Sequence, residues 1–111
     1  MNNIIDGVLL SPLKQFFDER GKVMHMLRED NEHFEKFGEI YFSCTYPGVV
    51  KAWHRHSEMK LNYACITGAV KVVLYDSRES SKTFGYFNEF ILSPESYNLL
   101  TVPPSIWNGF K

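Results

Sequence analysis

Two histidines, His54 and His56, stand one residue apart in a stretch of alternating polarity. On a strand, side chains at i and i+2 leave the same face, so both imidazoles can enter one cavity. Imidazole titrates nearest to neutral pH of all side chains and serves as general base or metal ligand. Arg20, Lys51 and Lys60 supply cations elsewhere in the chain. Such groups hold phosphates through charge-assisted hydrogen bonds. Trp107 and Asn108 offer an indole and an amide near the C-terminal end. Trp107 is read as packing first and as a flat stacking platform second; His25 and His33 are read as structural and solvated.

The elements that must position these groups are strands. Residues 22–27 alternate weakly. After Gly38, Ile40, Phe42, Cys44 and Tyr46 fall on one face of a predicted strand, and Pro47-Gly48 turns the chain. In 49–56, Val50, Ala52, His54 and His56 share a face, opposite Val49, Lys51, Trp53 and Arg55. Segments 61–67 and 69–75 flank Gly68, and 86–92 and 97–102 supply two more strands. Asp76 to Gly85 is a polar loop, and Pro103-Pro104 ends the strand before it. One short helix is expected over 29–37, capped by Asp30 or Asn31 and stopped at Gly38. About seven short strands at this spacing mean a sandwich or barrel, and the barrel is preferred because its mouth can take a ligand.

Bulk properties narrow the function classes. The chain has 111 residues, enough for one domain over 1–111, and 44% of them are apolar, enough for a core. Twelve basic against thirteen acidic residues leave a net charge of −1, which argues against sequence-independent nucleic-acid binding. No apolar run reaches the ~20 residues of a membrane span, and no signal peptide is visible. Cys44 and Cys65 are read as buried thiols filling core volume. These features point to a cytoplasmic protein.

The spacing Gly48, His54, His56, Leu61, Gly68 resembles the first motif of the cupin superfamily, and Pro103 to Asn108 resembles its second. Metal-binding cupins place a Glu where Leu61 stands and a His where Asn108 stands, so two imidazoles alone would hold a divalent ion weakly. The closer resemblance is to the dTDP-4-dehydrorhamnose 3,5-epimerase family. Phe17-Asp18-Glu19-Arg20-Gly21 resembles its Asp–x–Arg–Gly turn. Gly48 to His54 is similar to its Gly–Val–Leu–Arg–Gly–Leu–His strand. Tyr75 to Arg78 with Ser81 to Gly85 resembles its Asp–Leu–Arg…Ser–x–Thr–Phe–Gly loop. Pro103 to Phe110 resembles its Pro–x–Gly–Phe–Ala–His–Gly–Phe segment.

The resemblance implies an all-β, cupin-type double-stranded β-helix (jelly-roll) barrel, with C-terminal strands of the family not included in 1–111. It implies an isomerase that epimerises a nucleotide-activated 4-keto-6-deoxysugar for surface polysaccharide biosynthesis. His54 corresponds to the general base, which takes the acidified proton beside the ketone without any metal or nucleotide cofactor. Arg20 and Lys51 match diphosphate-binding positions, and His56, Trp107 and Asn108 are the further substrate-binding candidates. The family's enolate-stabilising lysine falls on Leu61; Lys60 is the catalytic candidate if a bulge shifts the register. Ile40 and Phe42 replace the polar readers of thymine, and His25 replaces a Glu. The family's general-acid Tyr and base-orienting Asp lie beyond Lys111.

Two alternatives follow. A non-catalytic sugar-nucleotide-binding cupin module would keep the cleft and lack proton transfer, and a metal-dependent cupin oxygenase comes third. Unpaired strand edges and the apolar run Ile4–Leu13 suit a homodimer that exchanges N-terminal strands, as the related epimerases do.

Overall fold

The structure, a computed structural model, describes residues 3–111 and contains nine strands. They are β1 (Leu9–Pro12), β2 (Gln15–Asp18), β3 (Gly21–Met24), β4 (Lys51–His54), β5 (Leu61–Tyr63), β6 (Val70–Asp76), β7 (Phe87–Leu92), β8 (Asn98–Val102) and β9 (Ile106–Phe110). One antiparallel sheet runs β1-β8-β5 and a second runs β4-β9-β6-β7. Val72 and Leu74 of β6, Leu92 of β7 and Ile106 of β9 meet Leu100 and Val102 of β8 in one buried cluster. The core thus lies between the two sheets, as in a jelly roll.

The N-terminal segment closes this core from one end. Ile5 and Val8 are buried in the cluster. The Ile5 N–H donates to Asn88 Oδ1 at 2.8 Å, and Asn88 Nδ2 donates to the Asn3 carbonyl at 3.0 Å. β2 and β3 form a separate hairpin that pairs with neither sheet. It leaves Phe16, Phe17 and Val23 exposed.

Alternation predicts the strands around Gly68 and those at 86–92 and 97–102, and these form. Pro47-Gly48 also turns as expected: Gly48 has φ +80° and Val49 N–H donates to the Tyr46 carbonyl at 3.1 Å, a type II geometry.

Three expectations need correction. The helix over 29–37 is absent, and no helix occurs among the described residues. Asn31 and Phe34 instead donate three residues back, to Arg28 and Asn31, and the Asn31 side chain takes the His33 N–H at 2.8 Å. These side-chain bonds compete with helix in a segment too short to nucleate one. The strand at 40–46 is also missing. Its alternation is real, but no strand pairs with it among the described residues, and Tyr41 and Phe42 stand 74% and 83% exposed. Cys44 is exposed for the same reason, while Cys65 is half-buried, packs against the core cluster and donates its Sγ–H to the Thr67 carbonyl, so only one of the two expected thiols reaches the core. The proline pair does end the strand before it, β8 at Val102, and β9 follows at the centre of its sheet.

Candidate active site

The site is set by an irregularity in β4. Lys51 pairs with Phe110 and His54 with Asn108, so three steps along β4 match two along β9. This β-bulge turns one extra residue outward. Residues directly opposed in an antiparallel pair share a face, so Lys51 and His54 stand on the same face of the sheet, with Phe110 and Asn108. Strict alternation had put them on opposite faces. The same register sets Asn108 beside Leu74, whose side chain has no exposed surface. That face lines the space between the sheets.

Gly109 explains how β4 approaches so closely. A Cβ there would lie 2.7 Å from Ala52 Cβ and 3.2 Å from Ala52 Cα. Only glycine admits the bulge at this point.

His54 ends β4 on the open rim of this face and is exposed. β4 is an edge strand, with β9 on one side and no partner on the other among the described residues. Lys51 is half-buried, and its Nζ donates to the Cys44 carbonyl at 2.6 Å and to Ser43 Oγ at 3.2 Å. Those are neutral acceptors, so the ammonium keeps its charge available to an anion.

Asn108 is fully buried and its amide is used at both ends. Nδ2 donates to the backbone carbonyl of His54 at 3.0 Å, and Oδ1 accepts from the Tyr63 hydroxyl at 2.9 Å. Burial pushes the Tyr63 phenol up to about 12, helped by nearby Tyr41. Tyr63 also meets Phe110 edge to face, 5.2 Å between ring centres. Sequence reading missed Tyr63; its only signal was a polar-tipped aromatic two residues after Leu61, on the same face of β5.

Other candidates are placed elsewhere. β5 pairs with β8 in unbroken register, Leu61 with Val102, and Leu61 packs against the core. The bulge that would have brought Lys60 inward is therefore absent from β5. Lys60 Nζ donates instead to the His33 carbonyl at 3.1 Å and lies 3.4 Å from Glu35. Trp107 pairs with Tyr75 on the outer face, away from Asn108, with the Arg55 guanidinium 5.1 Å from its ring. A cleft of about 310 Å³ lined by Trp53, Tyr75, Phe87 and Trp107 opens on that outer face. Arg20 sits at the tip of the β2–β3 hairpin, ion-paired with Asp18 at 2.9 Å and highly exposed. His56 is exposed, and its carbonyl accepts the Ser105 N–H at 2.7 Å. His25 packs edge-on against Phe16. No three His, Cys, Asp or Glu side chains gather as metal ligands among the described residues.

Behind the site, the Asp76 loop ties the sheet to the N-terminal segment. Asp76 accepts from Arg78 Nε at 2.9 Å, Ser81 Oγ at 2.7 Å and Thr83 Oγ1 at 2.6 Å. Arg78 and Thr83 in turn bind the Asp6 carbonyl and N–H.

Residues 2–111 match the sequence model of a family described as dTDP-4-dehydrorhamnose 3,5-epimerase. The probable low-salt glycan biosynthesis epimerase Agl13 of Haloferax volcanii is 38% identical over the whole chain, which spans 72% of that protein. The spore coat polysaccharide biosynthesis protein SpsL of Bacillus subtilis is 36% identical over 97% of the chain, again spanning 72% of the relative. A crystal structure of a dTDP sugar isomerase from Desulfovibrio desulfuricans superposes with a TM-score of 0.93 at 48% identity. That superposition covers 96% of the chain and 68% of the isomerase.

Proposed function

The chain belongs to the dTDP-4-dehydrorhamnose 3,5-epimerase family, and from that membership we propose that it epimerises a dTDP-4-keto-6-deoxyhexose destined for a glycan. The family is one of all-β, cupin-type epimerases of nucleotide sugars linked to polysaccharide and glycan biosynthesis. What carries the reading for this chain is the β4 bulge, which sets Lys51 and His54 on the one face shared with Asn108.

The ketone acidifies the neighbouring C–H bond. His54 takes that proton, and the electron pair of the broken bond delocalises onto the ketone oxygen as an enolate. A proton from water on the opposite face of the same carbon restores the ketone with inverted configuration, and His54 releases the proton it took to solvent, so no atoms or electrons are gained or lost. Lys51, on the same face, is suited to grip the diphosphate. Arg20 is the second cation for that group and lies on the projecting hairpin; a second copy of the chain, exchanging that hairpin, would cover its exposed aromatic side chains.

A second reading, a sugar-nucleotide-binding module without turnover, is favoured by Leu61. It holds the enolate-stabilising lysine's place and faces the core, while Lys60 is tied to His33 and Glu35. Calorimetry with dTDP-4-keto-6-deoxyglucose, followed by chromatography of the recovered sugar, separates the two. The epimerase predicts binding and an epimerised product. Binding with the sugar recovered unchanged would leave the module.

A further inference from the structure

We propose that half-buried Tyr63 and buried Asn108 form a positioning pair for His54, holding the strand that carries the imidazole from across the molecule. The proposal rests on the reading of His54 as the proton-transferring group. β4 is an edge strand with a bulge immediately before His54, so its ladder to β9 is interrupted where the imidazole must be fixed. The Asn108 side chain supplies a donor at that point, Nδ2 to the His54 carbonyl at 3.0 Å.

A carboxamide offers a donor at one end and an acceptor at the other, and it can flip. The Tyr63 hydroxyl, 2.9 Å from Oδ1, settles which end faces His54. It can do so only as an O–H donor, and its phenol, pushed up to about 12, stays protonated through the neutral and mildly alkaline range. Tyr63 is itself fixed: β5 pairs regularly with β8, and its ring lies edge to face on Phe110. Two hydrogen bonds thus run from one sheet, through the centre of the other, to the backbone of the residue bearing the base. A flipped amide would turn Oδ1 toward the His54 carbonyl, acceptor against acceptor, and free the end of β4.

Tyr63→Phe removes the hydroxyl and leaves the ring. With dTDP-4-keto-6-deoxyglucose, kcat should fall about tenfold or more, since small misplacement of a reacting group is costly. KM should stay within about twofold, because binding groups are untouched. The midpoints of the pH–rate profile should not move, as the pair touches the His54 carbonyl and not the ring. In protein carrying ¹⁵N-histidine, the His54 ring signals should shift or broaden in Tyr63→Phe while those of His25, His33 and His56 stay in place. Asn108→Leu should do the same, and the double variant should cost no more than the worse single one.

Unchanged His54 ring signals in both single variants, or fully additive losses, would overturn the proposal. The spectroscopic arm needs no turnover. Wild-type protein without epimerisation would sink the enzymatic reading, while perturbed His54 signals would still support the pair.

Discussion

At Asp76 a carboxylate with no exposed surface is held by Arg78, Ser81 and Thr83. Burial alone would push its pKa up. The Arg78 guanidinium, the Thr83 and Ser81 hydroxyls and the Arg78 N–H outweigh that and hold it well below the usual carboxylate range. The sign follows: the folded state binds this proton less readily than the unfolded chain. The stabilisation is present above the unfolded value of about 4 and is lost as pH falls through the lower folded one. Asp76→Asn should therefore flatten the acid limb of a pH-dependent urea titration below about pH 4. Arg78→Met leaves the carboxylate buried without its cation and should cost about 3 kcal/mol at pH 7. A loss under about 0.5 kcal/mol would show that the hydroxyls suffice. The sequence displayed this loop as Asp76, Arg78, Ser81 and Thr83 in close succession. Their convergence on one buried acid, and through Arg78 and Thr83 on Asp6, became visible only in three dimensions.

Strands and their pairing account for most of what alternation could reveal, and for its failure at the site. A period-two pattern identifies strands whose two faces differ, as in β6, β7 and β8. It is blind to a single inserted residue, and the β4 bulge is one. Reading 49–56 as strict alternation placed Lys51 and His54 on opposite faces, whereas the register brings both to one. The pattern at 40–46 failed differently, because alternation specifies a face and cannot supply a partner strand. Gly109 was legible only as part of a motif; its physical task is to admit Ala52. Gly109→Ala should push β4 off β9 and cost about 2 kcal/mol by overpacking, read from urea denaturation. It should also lower proton-transfer activity more than Tyr63→Phe does. Stability within about 0.5 kcal/mol of wild type would mean that β4 yields freely.

On the scale of the whole molecule, the β2–β3 hairpin pairs with neither sheet and exposes Phe16, Phe17 and Val23, with Phe17 at 69%. Apolar surface of this kind on a projecting hairpin is covered in most soluble proteins. A homodimer is the expected state, with a light-scattering mass near twice the 12.9 kDa of the chain. Phe17→Asp with Val23→Lys should shift it to monomer at micromolar concentration. A wild-type mass near 12.9 kDa would contradict the dimer.

Proton exchange at carbon reports on His54 more directly than any assembly or stability measurement. dTDP-4-keto-6-deoxyglucose is incubated with the protein in heavy water, and deuterium beside the carbonyl is followed by mass spectrometry and NMR. Wild-type protein should wash deuterium into the sugar, and His54→Asn should slow this by about 10²-fold or more. No incorporation above the protein-free control, or equal rates for wild type and His54→Asn, would contradict the account.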